Sequence, residues 1–366
     1  MCMYYTKGIN QNGYILCRHC NMKKYEHSIF IYIYNITFQC DDIILLIQDY
    51  IIIDNHKTIL QGNTFTSVVS NNYTVKCWGY NKEGQCDVPD SIQGKVHNMN
   101  INNDNVVGKV ISISSGGSHS IALLSDNTVK CWGSNSFGQC NVPDSIQGKI
   151  ISISCGIFHS CALLNNNTIV CWGDNDEGQC NVPHSIQGKV VSIGCGDGFS
   201  CALLNDNTIK CWGNNGSGKC NVPDSIQGKI TTIECGGHHI CALLNNNMVI
   251  CWGVNSYGQC NVPDSIQGKV VSISCGYSHS YALLNDNTIK CWGNNNFSQC
   301  NPPESIQGKI VSIKCGVFYT CAFLNDNTVK FWGYNDCGQC DVPDSIQGKI
   351  ISISCGYKTT CALIKQ

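Results

Sequence analysis

The chain is poor in charged residues. Only 13% of its 366 residues are Asp, Glu, Lys or Arg, and the formal net charge is −2. Proteins that bind nucleic acid or anionic membranes electrostatically present an excess of basic side chains. The composition therefore predicts neither a nucleic-acid partner nor a membrane partner.

The sequence also lacks a long apolar run. Its most apolar stretch, residues 29–38, is followed by Asp41 and Asp42 and is too short to span a bilayer. Residues 1–27 mix lysines with polar residues, without the apolar segment that follows the basic start of a signal peptide. We therefore expect a cytoplasmic protein, with the nucleus as the alternative location.

Residue groupings typical of catalysis or cofactor binding are missing too. We find no phosphate-binding loop, Ser-His-Asp set or paired carboxylates that stand apart from the repeats described below. Cys17 and Cys20 form an isolated CxxC pair, which Cys2, His27 and Cys40 could complete as a zinc site. We predict a non-enzymatic protein without cofactor or metal, and keep Cys17 and Cys20 as the one alternative.

What the sequence does contain is a repeat. Every tryptophan is followed by glycine; after a first interval of 54 residues, all the intervals between tryptophans are 40 residues. These are Trp78, Trp132, Trp172, Trp212, Trp252, Trp292 and Trp332. A period of this length is typical of a propeller or a solenoid.

One repeat, residues 149–188, contains four short segments that favour strands. Apolar residues alternate over 151–155, and apolar runs follow at 159–164 and 168–172. Three asparagines between the second and third segments predict a tight turn, and residues 179–182 predict a short fourth strand. The repeat therefore predicts one four-stranded antiparallel blade of an all-β, seven-bladed β-propeller.

The two ends of the chain carry complementary half-repeats. The C-terminal residues 349–364 correspond to the first half of a repeat. The first Trp-Gly unit of the chain, residues 74–88, corresponds to a second half and has no clear first half in front of it. We therefore predict that residues 349–364 pair with residues 74–88 to close the ring. A faded copy around Gly62 and residues 67–70 leaves a second closure open. The predicted propeller covers residues 55–366, with an insertion loop at about 96–108, after an extension of uncertain fold at 1–54.

The segment from Ile113 to Leu123, with Trp132-Gly133 and Gly138-Gln139, resembles the repeat of the regulator of chromosome condensation family. The resemblance recurs over residues 67–364 and implies a seven-bladed propeller. The founding member of that family is an exchange factor for a Ran-type GTPase and uses a projecting hairpin. The insertion here lacks the alternation of a hairpin. We therefore do not expect exchange activity as the main function of this chain and keep it as an alternative.

Histidines and cysteines recur at fixed repeat positions. His119, His159, His239 and His279 share a position that elsewhere holds Phe199, Tyr319 and Thr359. Because Phe can neither bind a metal nor carry a proton, we interpret this position as packing and hydrogen bonding. Cys161 and Cys171 are predicted cross-strand neighbours, but three equivalent pairs have lost one member, which favours free, buried thiols.

The loops of one predicted face differ from blade to blade, whereas those of the other face barely change. The variable loops carry mainly aromatic and acidic residues, which suit a protein interface on a rigid scaffold. Drift after duplication is the alternative explanation. The predicted partner-binding residues are Tyr80, Phe137, Ile157, Phe158, Asp174, Asp176, Glu177, Tyr257, Tyr277, Phe297, Val317, Phe318, Tyr334 and Tyr357.

The sequence thus predicts a monomeric interaction scaffold that binds a partner protein through the variable loops. The alternatives are an exchange factor for a Ran-like GTPase and a ubiquitin-ligase receptor, the latter because residues 38–50 resemble the first helix of an F-box.

The composition also indicates a source. Alanine is scarce whereas asparagine and isoleucine are abundant, which is typical of an AT-rich genome, such as that of an amoeba or a large DNA virus.

Overall fold

The computed structural model describes residues 60–62, 65–67, 73–93 and 109–365. The chain divides into two compact units, Met1–Asn71 and Asn72–Gln366. In the first, strand β1 (Leu60–Gly62) pairs antiparallel with β2 (Phe65–Ser67). The extension 1–54, with Cys17, Cys20 and the F-box-like segment, and the insertion at 96–108 lie outside the described residues, so the predictions made for them stay predictions.

The second unit consists of seven three-stranded antiparallel sheets, which we call blades. Blade 1 is β4 (Val110–Ser115), β5 (His119–Leu124) and β6 (Val129–Gly133), and blade 2 is β7 (Ile150–Cys155), β8 (His159–Leu164) and β9 (Ile169–Gly173). Blade 3 is β10 (Val190–Cys195), β11 (Phe199–Leu204) and β12 (Ile209–Gly213), and blade 4 is β13 (Ile230–Cys235), β14 (His239–Leu244) and β15 (Val249–Gly253). Blade 5 is β16 (Val270–Cys275), β17 (His279–Leu284) and β18 (Ile289–Gly293), and blade 6 is β19 (Ile310–Cys315), β20 (Tyr319–Leu324) and β21 (Val329–Gly333). Blade 7 is β22 (Ile350–Cys355), β23 (Thr359–Lys365) and β3 (Tyr73–Gly79).

The middle strand of each blade is the most deeply buried. All six residues of β8 are buried, because both faces of the sheet are covered by neighbouring blades. The predicted asparagine turn follows it, and Asn167 adopts a left-handed conformation with φ of 61°. Asparagine tolerates this conformation better than other side chains, which explains its recurrence at the equivalent turns.

The prediction of a fourth strand is wrong for the described residues. Residues 179–180 form a turn, residues 181–183 have no regular secondary structure, and a short 3-10 turn, His184–Ile186, follows. The side chain of Gln187 occupies the outer edge of β9 instead: Ile169 N donates to Gln187 Oε1 at 2.8 Å, and Gln187 Nε2 donates to Ile169 O at 3.0 Å. A side-chain amide thus satisfies the backbone groups that a fourth strand would have paired.

This glutamine clamp recurs in every blade with at least one of the two hydrogen bonds. The equivalent 3-10 turns are Asp90–Ile92, Asp144–Ile146, Asp224–Ile226, Asp264–Ile266, Glu304–Ile306 and Asp344–Ile346. In each of them the isoleucine is buried, which fixes the glutamine that follows it beside the third strand. None of the helices in the described part of the chain has the length and apolar character needed to span a bilayer.

The predicted closure through the two half-repeats is confirmed. β23 pairs antiparallel with β3 in a register that places Cys361 opposite Cys77. The first strands of successive blades pack against one another, and β22 of blade 7 packs against β4 of blade 1. The backbone continues this contact, because Tyr357 N donates to Gly116 O at 3.2 Å. Seven blades therefore complete a circle without any use of β1 and β2.

The hydrophobic core lies between adjacent blades. Seven clusters of buried residues each join two neighbours. In the cluster that closes the ring, Val75 and Leu363 of blade 7 pack with Trp132 of blade 1. Each blade therefore depends on both of its neighbours for burial.

Candidate partner-binding surface

The variable loops lie together, as predicted. In each blade the loop after the first strand and the loop after the third strand are joined by a backbone hydrogen bond, for example from Asp174 N to Phe158 O at 3.0 Å. We call the surface formed by these loops the variable face. On the opposite face the asparagine turn bonds to the next connection, as Gly188 N donates to Asn167 O at 3.0 Å.

Five predicted residues from blades 5, 6 and 7 form one aromatic cluster on the variable face. Phe318 lies at its centre, and its ring centroid is 5.3 Å from that of Phe297, 6.0 Å from Tyr277, 6.3 Å from Tyr334 and 6.0 Å from Tyr357. We call these five residues the aromatic basin. Edge-on and tilted pairs at such distances are the favourable arrangements for aromatic rings.

The aromatic basin remains accessible to solvent. Phe297 is 42% exposed and Tyr357 is 38% exposed. Lys358 adds a cation to its rim, with Nζ 5.3 Å from the Tyr334 ring centroid and 5.4 Å from that of Tyr357. Tyr80 lies in the adjacent loop, is half-buried, and donates its backbone N–H to Lys358 O at 2.9 Å. Exposed rings held by mutual contacts are the kind of rigid anchor found at protein interfaces.

Other predicted residues lie on different blades of the same face. The rings of Phe137 and Phe158 form a second aromatic pair with a centroid distance of 5.0 Å, and half-buried Ile157 precedes Phe158. Tyr257 is 54% exposed on blade 4. Asp176 is exposed on blade 2.

Val317 is the predicted residue that the structure removes from this surface. Only 8% of it is exposed. Its N–H donates to Gly356 O at 3.3 Å, and its carbonyl accepts from Tyr277 N at 3.2 Å. The variable loop of blade 6 thus uses Val317 to hold its neighbours and presents only Phe318.

An open cleft of about 310 Å³ lies on the variable face beside Phe158. The residues that line it are Phe158, Asp174, Glu177, Asp197, Gly198, Asn214, Ser217, Lys219 and His238. Asp174 and Glu177 were predicted from the sequence. Lys219 was missed, although it holds a position that is glutamine in every other repeat, as Gln179 illustrates.

Lys219 belongs to a hydrogen-bonded polar cluster with Asp197, His238 and Tyr277. Tyr277 Oη donates to Asp197 Oδ2 at 3.1 Å and lies 2.8 Å from His238 Nε2, while Lys219 Nζ lies 3.4 Å from His238 Nδ1. Lys219 Nζ also donates to Asp197 O at 3.2 Å and lies 5.2 Å from the centroid of the Phe199 ring. These contacts compensate for the burial of the lysine.

The surroundings of the polar cluster shift the pKa values of Lys219, His238 and Tyr277. Burial lowers the pKa of Lys219 and that of His238, and the lysine charge lowers the histidine's further. Burial and the neighbouring Asp197 raise the pKa of Tyr277 to about 12. The cluster therefore orients Tyr277 at the edge of the aromatic basin without placing a second cation beside Lys219.

The opposite face carries a ring of exposed aliphatic side chains that the sequence reasoning also missed. They occupy the second residue of the first strands, where a bulge breaks the pairing register. The ring comprises Ile111, Ile151, Val191, Val271, Val311 and Ile351, which are 41–57% exposed. Alternation alone could not have found them, because it assigns Ile151 to the core and the bulge displaces that side chain to solvent.

The repeated histidines have the structural role that was predicted. His159 is fully buried, and its Nε2 lies 2.9 Å from Ser200 Oγ in the next blade. His119, His239 and His279 make the equivalent contact. Burial lowers the pKa of His159 to about 4, so the ring is neutral at neutral pH.

The expectation of free thiols is wrong for ten of the described cysteines. Disulfides join the cross-strand pairs Cys77–Cys361, Cys161–Cys171, Cys201–Cys211 and Cys241–Cys251, and a fifth joins Cys291–Cys300. The cross-strand Cα atoms are 4.1 Å apart, because the register places the two residues directly opposite. The loss of a partner at Tyr281 did not imply a free thiol, since Cys291 turns to Cys300.

A circle of seven repeated antiparallel sheets defines a β-propeller. A family model, the regulator of chromosome condensation (RCC1) repeat, matches residues 110–139, 150–179, 190–219, 230–259, 270–299 and 310–339. The chain belongs to this family of seven-bladed propellers. The resemblance found in the sequence is thereby confirmed.

Solved structures agree with the fold. Human WBSCR16 aligns with a TM-score of 0.64 at 17% identity, over 80% of this chain and 99% of that one. Prp20p from Saccharomyces cerevisiae, whose structure was reported with its binding to Gsp1p and histones, aligns with a TM-score of 0.62 at 19% identity, over 85% and 97%. The ectodomain of the Arabidopsis thaliana receptor kinase ACR4 aligns with a TM-score of 0.56 at 24% identity, over 71% and 94%. No curated protein sequence matches the chain.

Proposed function

We propose that the protein is a non-enzymatic scaffold that binds a partner protein through the variable face, with the aromatic basin as the main contact. The observation that carries the proposal is the convergence of five aromatic residues from three blades around Phe318, with Phe297 and Tyr357 still exposed. Aromatic side chains in the centre of an interface contribute most of its binding energy. Neutral sequence change that occurs independently in each repeat does not explain why five aromatic residues of three blades lie in contact.

The rim of the aromatic basin suggests how a partner is oriented. Lys358 is the cation on the blade 7 side, whereas Asp174, Asp176 and Glu177 are acidic residues on blade 2. A partner with an apolar centre and charges of opposite sign at its two ends would match this distribution. We further propose that the protein acts as a monomer and that it is located in the cytoplasm or the nucleus.

Affinity capture with three matched proteins tests the proposal. The first is the wild type, the second carries Phe297→Ser and Phe318→Ser, and the third carries Val271→Ser and Val311→Ser on the opposite face. The third variant removes exposed apolar side chains without touching the variable face, so it is the matched control. Circular dichroism and thermal unfolding confirm that all three are folded.

The proposal expects a protein that is captured by the wild type and the control and lost with the Phe297/Phe318 variant. Capture of the same proteins by all three, or a loss confined to the Val271/Val311 variant, would contradict it. In the latter case the exposed aliphatic side chains of the opposite face, and not the aromatic basin, form the binding surface.

Nucleotide exchange on a Ran-like GTPase is the second candidate. The structural likeness to Prp20p, which binds Gsp1p, favours it. A nucleotide-release assay with a panel of Ran-like GTPases decides the matter, and we expect no acceleration. The third function considered, a ubiquitin-ligase receptor, depends on residues 38–50 outside the described part of the chain and stays a prediction.

A further inference from the structure

Histidine and cysteine side chains from adjacent blades converge at two places in the core. His159 and Cys161 of β8 meet Cys195 of β10, and their ligand atoms all lie within 4.8 Å of one another. His239 and Cys241 of β14 meet Cys275 of β16 in the same way. All six residues are buried.

Only blades 2 and 4 contain the complete set among the described repeats. In blades 1 and 5 the histidine is present, but Ile121 and Tyr281 replace the cysteine two residues later. In blades 3 and 6 the cysteine is present, but Phe199 and Tyr319 replace the histidine. In blade 7 threonine replaces the histidine, at Thr359. The repeat therefore supplies natural versions of the site with one donor missing in blades 1, 3, 5 and 6, and with two missing in blade 7, where Ser115 also replaces the second cysteine.

The hydrogen bonds around His159 leave one ring nitrogen available. Ser200 Oγ donates to Gln179 O at 2.9 Å, so it accepts a hydrogen bond from His159 Nε2–H at 2.9 Å. Nδ1 then carries the lone pair, and it is buried without a hydrogen-bond partner, as it is in His119, His239 and His279. The adjacent pair of cysteines is what distinguishes His159 and His239 from the other two. A metal-binding histidine commonly donates its second ring N–H to a protein acceptor in this manner.

Each site also has a fourth donor within reach. Cys171 is the disulfide partner of Cys161, and Cys251 is that of Cys241, so reduction of each bridge frees a second sulfur beside the first. One imidazole and three thiolates form a typical four-coordinate Zn²⁺ site. Burial raises the pKa of Cys195 to about 12, and a bound cation would compensate for the cost of its thiolate.

We propose that these two clusters bind Zn²⁺ when the Cys161–Cys171 and Cys241–Cys251 disulfides are reduced. The metal and the disulfide compete for the same sulfur atoms, so the sites are open only in reducing surroundings. With a phosphine as reductant, each bridge accepts two electrons, and the phosphine leaves as its oxide with oxygen from water. The two protons of that water go to the thiols, and Zn²⁺ displaces the thiol protons when it binds.

Metal titration of the reduced full-length protein tests the proposal. The protein is reduced with a phosphine, freed of reductant under anaerobic conditions, and titrated with Co²⁺, whose visible absorption reports tetrahedral thiolate ligation; Zn²⁺ then displaces it. His159→Phe and His239→Phe should each remove one equivalent relative to the wild type, and the double variant should remove two. Phenylalanine fits the position because Phe199 occupies its equivalent.

Two controls isolate the clusters from the other thiols of the chain. The double variant His119→Phe/His279→Phe removes equivalent buried histidines that lack the cysteine pair, so it should lose no equivalent. Cys195→Ser and Cys275→Ser provide a second removal, with Ser115 as the natural precedent at that position. The oxidised protein should lack both equivalents.

The proposal is refuted if the His159/His239 variant binds as many equivalents as the wild type. Equal losses in the His119/His279 control would refute it as well. A failure here leaves the partner-binding proposal untouched, because none of these residues lies on the variable face.

Discussion

Acidification from pH 7.5 to pH 5 should destabilise the propeller strongly, because its repeated histidines are buried as neutral rings. Burial lowers the pKa to about 4 in His159 and His239 and to about 3 in His119 and His279. The ionisable groups that act on them are few: Asp174 raises the pKa of His159, and His238 lowers that of His239. His159 in turn lowers the pKa of His119, and His239 lowers that of His279.

The sign follows from the two states. In the unfolded chain a histidine takes up its proton near pH 6.5, whereas the folded protein excludes that proton until about pH 4. Between these values the unfolded state binds more protons than the folded state. The contribution of the neutral histidines to the free energy of unfolding is therefore fully present above pH 6.5 and is lost as the pH decreases. At pH 5 each histidine costs about 2 kcal/mol, and four cost about 8 kcal/mol, which is comparable with the whole stability of a typical domain.

Chemical denaturation as a function of pH measures this effect. His159→Phe, which copies the residue at Phe199, should leave stability at pH 7.5 nearly unchanged and reduce the loss at pH 5 by about 2 kcal/mol. Addition of His239→Phe should reduce it by about 2 kcal/mol more. The reasoning is refuted if neither substitution alters the pH dependence, or if the wild type gains stability on acidification.

Three further substitutions test the fold. Gln187→Ala should destabilise the protein by about 1–3 kcal/mol in denaturant titrations, because Ile169 loses both partners of its edge groups; an unchanged midpoint would mean that water replaces the clamp. Ser298→Gly should stabilise by about 0.5–1 kcal/mol, since Ser298 has a φ of 60° where six blades have glycine, and a lower melting temperature would contradict this. Cys361→Ser should cost more than Cys161→Ser under oxidising conditions, about 5 against about 3 kcal/mol, because the two bridges span 284 and 10 residues. Equal losses would argue against the ring closure by β23.

The circular arrangement could be predicted because the repeat is nearly uniform. A 40-residue period with half-repeats at the two ends leaves few ways to bury every sheet, and β23 pairs with β3 as expected. The asparagine turns could be predicted because positive φ favours few residue types. The assignment of loops to one face followed from the direction of the strands alone.

The fourth strand was mispredicted because the side chain of Gln187 satisfies the backbone groups that such a strand would have paired. Strand propensity in residues 179–182 says nothing about Gln187, which reaches the edge of β9 from a 3-10 turn. The residue pattern of a segment indicates its own backbone conformation. The hydrogen-bond partner of an edge strand, in contrast, can come from residues elsewhere in the chain. The Cys291–Cys300 bridge escaped prediction for the same reason.

The candidate site was predictable residue by residue but not as a geometry. Variation between repeats identified Phe297, Phe318 and Tyr334, yet only the structure places them in one cluster. The polar cluster was missed because Tyr277 contacts Asp197 across 80 residues, and single repeats reveal no such contact. The departure from glutamine at Lys219 was the available signal.

Hydrogen–deuterium exchange of the complex with a captured partner tests the central claim most directly. The account predicts slower exchange in the variable loops around the aromatic basin, at residues 294–298, 316–318, 334–338 and 356–358, with the asparagine turns unchanged. Protection confined to the asparagine turns and the first residues of the first strands would contradict it, because binding would then use the face that scarcely differs between repeats.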